Sequence, residues 1–165
     1  MVNRDSGSNM QVSVRAFVEA DREALRQLFV VSRDAAFSWA SAGAHQLEDF
    51  DAGTTGEQIL VAAHAHQPIG FASIWLEDSF LHHLFVHPRH QGLGVGKMLL
   101  AACEPYFSGV PTLKCLTANA RAQQFYQAQG WRVRSQADGP EGAYVLMERT
   151  QTFAPHLPVD SGHTA

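Results

Sequence analysis

The sequence contains few cysteines and no excess of basic charge. Cys103 and Cys115 are the two cysteines in 165 residues. They show no CxxC spacing and lie in apolar stretches, which argues against a secreted disulfide framework and favours buried thiols in a reducing cytosol. Twelve basic against sixteen acidic residues give a net charge of -4. Nucleic-acid binders usually carry a basic face, so no nucleic-acid partner is expected, and any bound phosphate must be held locally.

Long apolar runs are also missing. No stretch approaches the roughly 20 residues that span a bilayer, and the first ten residues lack the apolar region of a signal peptide. We therefore expect a cytoplasmic protein without a membrane partner. The length is typical of one domain. We assign that domain to residues 11–150, between a disordered N-terminus (1–10) and a flexible C-terminal tail (151–165).

Apolar periodicity predicts a mixed α/β fold. Alternation predicts a strand at 12–17, and helical spacing follows Asp21, which we expect to be the N-cap. A short helix is expected near 45–50. Three strands (59–63, 69–75 and 80–88) are separated by short turns, which require antiparallel neighbours. A helix ending near Pro105 leads to a strand at 111–117, which a right-handed crossover makes parallel to the strand before it. A helix capped by Asn119 and a closing hairpin around a turn at 137–142 complete a mostly antiparallel sheet with one parallel step.

A glycine-rich turn joins the third of these strands to the next helix, in HHLFVHPRHQGLGVGKMLL (82–100). The P-loop pattern fails because Gln91 replaces its first glycine and Met98 follows the lysine. The dinucleotide pattern fails because the glycines have GxGxG spacing and no acidic residue stands about 20 positions on. The remaining pattern is Gln91-x-x-Gly94-x-Gly96. Its glycines let the backbone approach a pyrophosphate, which the N-terminus of the following helix also favours.

A second motif follows the parallel strand: Asn119-x-x-Ala122-x-x-Phe125-Tyr126, ending in Gly130-Trp131. Together the two motifs resemble those of the GCN5-related N-acetyltransferases (GNAT), over roughly residues 12–149. The resemblance implies a GNAT-like sheet flanked by about four helices, with acetyl-CoA as cosubstrate. It implies transfer of the acetyl group to a primary amine of a small molecule or peptide, by direct attack in a ternary complex, and it allows a homodimer. The alternative is a non-catalytic acyl-CoA-binding or regulatory module.

The resemblance also implies the cofactor-binding residues. The main chain of Leu84, Phe85 and Val86 should pair with the pantetheine arm. The pyrophosphate should be held by a continuous segment, namely Gln91, Gly92, Leu93, Gly94, Val95, Gly96 and Lys97. Asn119 should contact coenzyme A, a role compatible with its alternative as a helix cap. Tyr126 should lie near the thioester sulfur and protonate the leaving thiolate as the general acid, its alternative being an aromatic side chain on the helix face.

A base must take a proton from the attacking amine, and imidazole, with an ordinary pKa of about 6.5, suits this task. His82 matches a catalytic histidine of the arylalkylamine branch, while Phe80 stands where other members carry a glutamate. Side chains alternate along a strand, so Phe80, His82 and Leu84 should share one face, and Leu81, His83 and Phe85 the other. We predict His82 as the base, with a buried structural histidine as the alternative. A bulge in the strand could change this parity.

Two close sets of histidines occur, at 64–66 and 82–83. Neither has a carboxylate or thiolate expected beside it, so no metal site is predicted. His87 is expected to be structural. On the acceptor side the resemblance places Phe37, Trp39 and Trp75, with Phe50 nearby, although aromatics at such spacings are often core. Acidic residues of the same region either attract a cationic amine or simply form a solvated loop: Glu48, Asp49, Asp51 and Glu57.

Overall fold

The computed structural model describes residues 10–36 and 45–150. Its strands are β1 Val12–Ala16, β2 Gln58–His64, β3 Gln67–Trp75, β4 Phe80–Val86, β5 Thr112–Leu116, β6 Arg132–Gly139 and β7 Gly142–Glu148. Its α-helices are α1 Arg22–Ala36, α2 Glu48–Thr54, α3 Val95–Cys103 and α4 Ala120–Ala128. Short 3-10 turns lie at Glu19–Asp21, Pro88–His90 and Glu104–Tyr106.

The seven strands form one sheet in the order β1-β2-β3-β4-β5-β7-β6. Neighbours are antiparallel except for β4 and β5, which are parallel and joined through α3. The meander of β2, β3 and β4 and the single parallel step are as the sequence predicts. The predicted α/β fold class, a mixed and mostly antiparallel sheet flanked by four helices, is therefore confirmed.

Two hydrophobic clusters cover opposite faces of the sheet. Alternate residues of β2 divide between them: Leu60 belongs to a cluster with Leu99 of α3, whereas Val61 belongs to a cluster with Leu25 of α1. Residues of α4 pack against the first cluster. Helices α3 and α4 thus lie on one face and α1 on the other, so β4 in the middle is bordered by both layers.

Two local predictions need correction. Asp21 does not act as the N-cap of α1; its carboxylate instead accepts hydrogen bonds from Arg15, at 2.7 and 2.9 Å, and from the N–H of Val18 at 3.0 Å. The predicted turn at 137–142 is too long, because β6 and β7 continue to Gly139 and Gly142. No helix in the described parts of the chain is long and apolar enough to cross a membrane.

Candidate active site

The strands β4 and β5 separate soon after they meet. Their parallel pairing covers only Phe80 with Thr112 and Leu81 with Leu113. Beyond Leu81, β4 continues to pair with β3, up to Val86 opposite Gly70. The segment Leu84–Val86 therefore has one edge held by β3 and another edge without a strand partner in the described residues. This edge is open to an extended ligand, and the binding of the pantetheine arm there stays a prediction.

The glycine turn begins at the open end of this gap. Gln91 donates a side-chain hydrogen bond to the carbonyl of Val86 at 3.2 Å, which ties the turn to β4. Gly92 and Gly94 have φ angles of 77° and 83°, and a Cβ on either would meet no atom within 4 Å. Both glycines are thus needed for a left-handed backbone that faces open space, as a cradle for a bulky anion requires.

Helix α3 starts directly after Gly94. The N–H of Met98 donates to the carbonyl of Gly94 at 3.1 Å, so the preceding N–H groups, from Val95 to Lys97, have no acceptor within the helix. The side chain of Val95 is buried, which leaves only its N–H for a ligand. Gly96 has a packing role as well, because a Cβ there would lie 3.2 Å from the ring of Phe125.

Asn119 caps helix α4. Its side-chain oxygen accepts a hydrogen bond from the N–H of Ala122 at 3.1 Å, which is the capping role anticipated for this residue. Gln123 donates to the carbonyls of Leu116 and Thr117 and fixes the chain between β5 and α4. The N-termini of α3 and α4 therefore both follow strands that border the gap.

A β-bulge interrupts β4 at the two histidines. Ser73 of β3 lies opposite His83, and Ile74 lies opposite Leu81, so His82 is an extra residue. The prediction that Leu81 and His83 share one face of the strand is therefore wrong. Leu81 packs in the cluster under α3, whereas His83 contacts Phe29 under α1, with ring centroids 5.5 Å apart. The imidazoles of His82 and His83 lie side by side, with centroids 3.9 Å apart, instead of on opposite faces.

Glu57, the residue before β2, joins this pair. Its Oε1 forms a hydrogen bond with Nδ1 of His82, and its Oε2 lies 3.9 Å from Nδ1 of His83. The Glu57 side chain is 5% exposed and that of His82 is 41% exposed. Ser73 Oγ forms a hydrogen bond with Nδ1 of His83, with the two atoms 2.9 Å apart. A buried carboxylate thus holds one nitrogen of a half-exposed imidazole.

The electrostatics of the cluster favour an ionised carboxylate beside neutral imidazole. Burial acts to raise the pKa of Glu57, but the polar groups around the carboxylate, first His82 and then His83 and Ser73, outweigh burial and lower the pKa to about 2. Burial lowers the pKa of His83, against the opposing effect of Glu57. His83 is thus an uncharged imidazole near neutral pH.

Tyr126 lies on α4 and packs against the cluster under α3. Its ring centroid is 6.0 Å from that of Trp131 and 5.3 Å from that of Phe125. Burial raises the pKa of Tyr126 above its ordinary value, with smaller contributions from Cys115 and Cys103. The phenol therefore keeps its proton at neutral pH, which is the form that can donate to a thiolate.

The predicted acceptor residues have different positions. Trp75 is 38% exposed and lies 3.4 Å from the Cβ that Gly56 would carry, next to Glu57. Phe50 is fully buried in the core. Phe37 and Trp39 lie outside the described residues. Asp51 forms ion pairs with Arg22 and Arg26, so its charge is balanced locally and does not form an isolated negative field.

Glu57 and Ser73 are the site residues that sequence reasoning missed. From the sequence, Glu57 is expected only as part of an acidic loop. The strand meander could have indicated that these residues are close, because the start of β2, the end of β3 and the start of β4 lie at the same end of an antiparallel sheet. That rule brings Glu57, Ser73 and the two histidines to the same end of the sheet, whereas their contacts depend on the strand registers.

Known proteins resemble this chain in a family model and in fold. A family model described as "Acetyltransferase (GNAT) domain" matches residues 55–133. No curated protein matches the sequence. Among solved structures, the PaiA N-acetyltransferase of Thermoplasma acidophilum in complex with coenzyme A has a TM-score of 0.73 at 18% identity, covering 86% of this chain and 100% of its own.

Two further structures are similar. YncA of Salmonella typhimurium, with its cofactor acetyl-CoA, has a TM-score of 0.62 at 20% identity and covers 83% of this chain and 92% of its own. The ribosomal-protein-alanine N-acetyltransferase of Brucella melitensis has a TM-score of 0.65 at 19% identity and covers 84% of this chain and 99% of its own. At these identities the structures show a shared fold. The matching family model identifies residues 55–133 of this chain as a GNAT acetyltransferase domain.

Proposed function

We propose that the protein is an acetyl-CoA-dependent N-acetyltransferase that acts on a primary amine of a small molecule or peptide by direct attack in a ternary complex. The observation that carries this proposal is on strand β4. Its Leu84–Val86 segment has an open backbone edge, and the half-exposed imidazole of His82, two residues before it, is held by the buried carboxylate of Glu57. An open backbone edge and a half-exposed imidazole therefore share one strand, as an acetyl-donor site beside a general base would require.

The cosubstrate is assigned to the gap between β4 and β5. The pantetheine arm would pair with the open edge of Leu84–Val86, as an added strand does. The pyrophosphate would lie over Gly92 and Gly94, where the backbone is left-handed and space is open, and against the free N–H groups of α3. Coenzyme A bound to the Thermoplasma structure and acetyl-CoA bound to YncA support this choice of ligand.

His82 would act as the general base. A carboxylate on Nδ1 favours the tautomer in which Nδ1 carries the hydrogen and Nε2 has the lone pair. Nε2 can then accept a proton from the attacking amine, directly or through water, while Glu57 stabilises the imidazolium that forms. Glu57 is thus a positioning residue in this proposal, since it acts through His82.

The amine nitrogen would attack the thioester carbonyl, whose oxygen the N–H groups near Phe85 and Val86 would polarise. The carbon–sulfur bond then breaks and the acetyl group stays on nitrogen. Tyr126 would give its phenolic proton to the departing thiolate, since the phenol is protonated at neutral pH. A peptide acceptor is compatible with the Brucella enzyme, which is named for a ribosomal protein.

The test is a screen of amine acceptors with acetyl-CoA, in which thiol release is recorded and the acetylated product is identified by mass spectrometry. His82→Asn and Tyr126→Phe should each lower kcat strongly, by about 100-fold or more for a lost proton-transfer group. Both should retain acetyl-CoA binding in calorimetry. His66→Asn is the matched control, because His66 is an exposed histidine in the β2–β3 turn.

Two results would contradict the proposal. Unaltered coenzyme A release after both substitutions would exclude the assigned base and acid. Tight acetyl-CoA binding by the wild-type protein without acetylation of any amine in the screen would favour the non-catalytic binding module.

A further inference from the structure

The cluster around His82 contains the ligand set of a metal site. One ligand atom each from Glu57, His82 and His83 can be chosen so that all lie within 4.8 Å of one another. Two imidazole nitrogens and one carboxylate oxygen are the protein ligands of a common type of open zinc site. From the sequence, no carboxylate was expected beside this histidine pair. The bulge in β4 and the position of Glu57 supply one.

A second observation points to a cation. Oε2 of Glu57 is buried without a hydrogen-bond partner, on a side chain that is 5% exposed. Buried polar atoms are nearly always hydrogen-bonded, so an exception calls for a partner. This oxygen lies 3.9 Å from Nδ1 of His83. A cation bound between the two atoms would satisfy the oxygen.

The spacing is close to that of a tetrahedral site. Zinc–ligand bonds of about 2.0–2.1 Å place neighbouring ligand atoms roughly 3.4 Å apart. Small side-chain rotations would bring Oε2 of Glu57 and Nδ1 of His83 to this distance. The hydroxyl of Ser73 is hydrogen-bonded to Nδ1 of His83 at 2.9 Å, and it can rotate away when a metal ion takes this nitrogen. His82 is 41% exposed, so a metal ion can reach the site and keep a water as its fourth ligand.

We propose that Glu57, His82 and His83 bind one Zn²⁺ ion reversibly, and that the bound ion stops acetyl transfer. A neutral imidazole has one nitrogen with a lone pair and one with a hydrogen. When the metal occupies Nδ1 of His82, the hydrogen must lie on Nε2, which can then no longer accept a proton from an amine. The inhibition rests on the proposed function, whereas the binding of the metal does not.

The binding test uses full-length protein stripped with a chelator. Titration with Co²⁺ should produce the visible absorption of a low-coordinate cobalt site, saturating at one equivalent, and Zn²⁺ should displace the signal. Glu57→Gln should weaken binding by at least about tenfold, because a charged ligand is lost. His82→Asn, at a partly exposed position, repeats the test if the first variant does not fold. His66→Asn should bind as wild type and controls for the histidine pair at 64–66.

Activity is measured separately on wild type and His66→Asn. Zn²⁺ should inhibit both, and a chelator should restore them. Metal binding unchanged by Glu57→Gln and His82→Asn, or abolished by His66→Asn, would overturn the proposed site. An active enzyme that binds no metal would refute this inference alone. A wild-type protein that binds one equivalent of metal but acetylates no amine would instead refute the proposed function.

Discussion

Gly94→Ala separates the ligand role of the glycine turn from its structural role. Gly94 has a φ of 83°, and an added Cβ would meet nothing within 4 Å. Gly130, at the end of α4, offers the same conditions, with a φ of 89° and the same open space. Alanine in the left-handed region costs about 1–2 kcal/mol. The two variants should therefore lose similar free energy of unfolding, with no steric clash in either.

Their affinities for acetyl-CoA should differ. The open space over Gly94 is where the pyrophosphate is proposed to bind, so a methyl group there should displace it from at least one backbone N–H. A hydrogen bond to a charged group contributes about 1.5–3 kcal/mol, which corresponds to a loss of about 10–150-fold in Kd. Gly130 lies at the opposite end of α4 from the Asn119 cap, and its replacement should leave the Kd unchanged.

The measurements are urea unfolding of both variants and calorimetric titration of both with acetyl-CoA. Titrations should be carried out where each variant is fully folded, so that the affinity difference does not reflect unfolding. Equal acetyl-CoA affinities for Gly94→Ala and Gly130→Ala would refute the assignment of this turn as the phosphate cradle. A loss of affinity in both would instead point to a general effect of backbone strain.

Three further outcomes are expected. Glu57→Gln should lower kcat by about 10–100-fold with little change in acetyl-CoA affinity, because it leaves His82 in place but removes the anion that orients it; an unchanged kcat would contradict this role. Tyr126→Phe should slow thioester cleavage most for poor leaving groups, so acyl donors with more acidic thiols should partly rescue it, and equal slowing for all donors would argue against an acid. Asp21→Asn should destabilise the fold at neutral pH, since the hydrogen bond from Arg15 lowers the pKa of Asp21. That contribution is present above the unfolded pKa of about 4 and is lost as pH falls through the lower folded value, so urea midpoints of variant and wild type should converge in acid.

Much of the fold could be predicted from local sequence signals. The short turns between β2, β3 and β4 permit only antiparallel pairing, and the long connection through α3 forces the parallel step. The turn at Ala65 and His66 has positive φ at both residues, as a tight hairpin requires. The glycine turn was located because the backbone there needs glycine for its own conformation, independent of the rest of the chain.

The histidine pair could not be placed in the same way. Strand alternation assumes an uninterrupted ladder, but the bulge at His82 depends on how β4 pairs with β3 at Ser73 and Ile74. The contact between Glu57 and His82 spans 25 positions and depends on the registers of three strands. Neither fact is encoded in the residues around the histidines, and the prediction of which face each side chain occupies was wrong for that reason.

The pairing of β4 is interrupted on both sides at neighbouring residues, and the candidate site lies where these two interruptions meet. Pairing with β5 stops at Leu81, and the bulge on the β3 side follows at His82. The segment of β4 that follows packs closely against β3, since a Cβ on Gly70 would lie only 2.9 Å from the carbonyl oxygen of Phe85. The open edge and the imidazole are therefore held by one strand and not by a mobile loop. The spacing between base and thioester in the proposed complex is then set by strand geometry, at about 3.3 Å per residue, which is the kind of rigid support that proton transfer over hydrogen-bond distances requires.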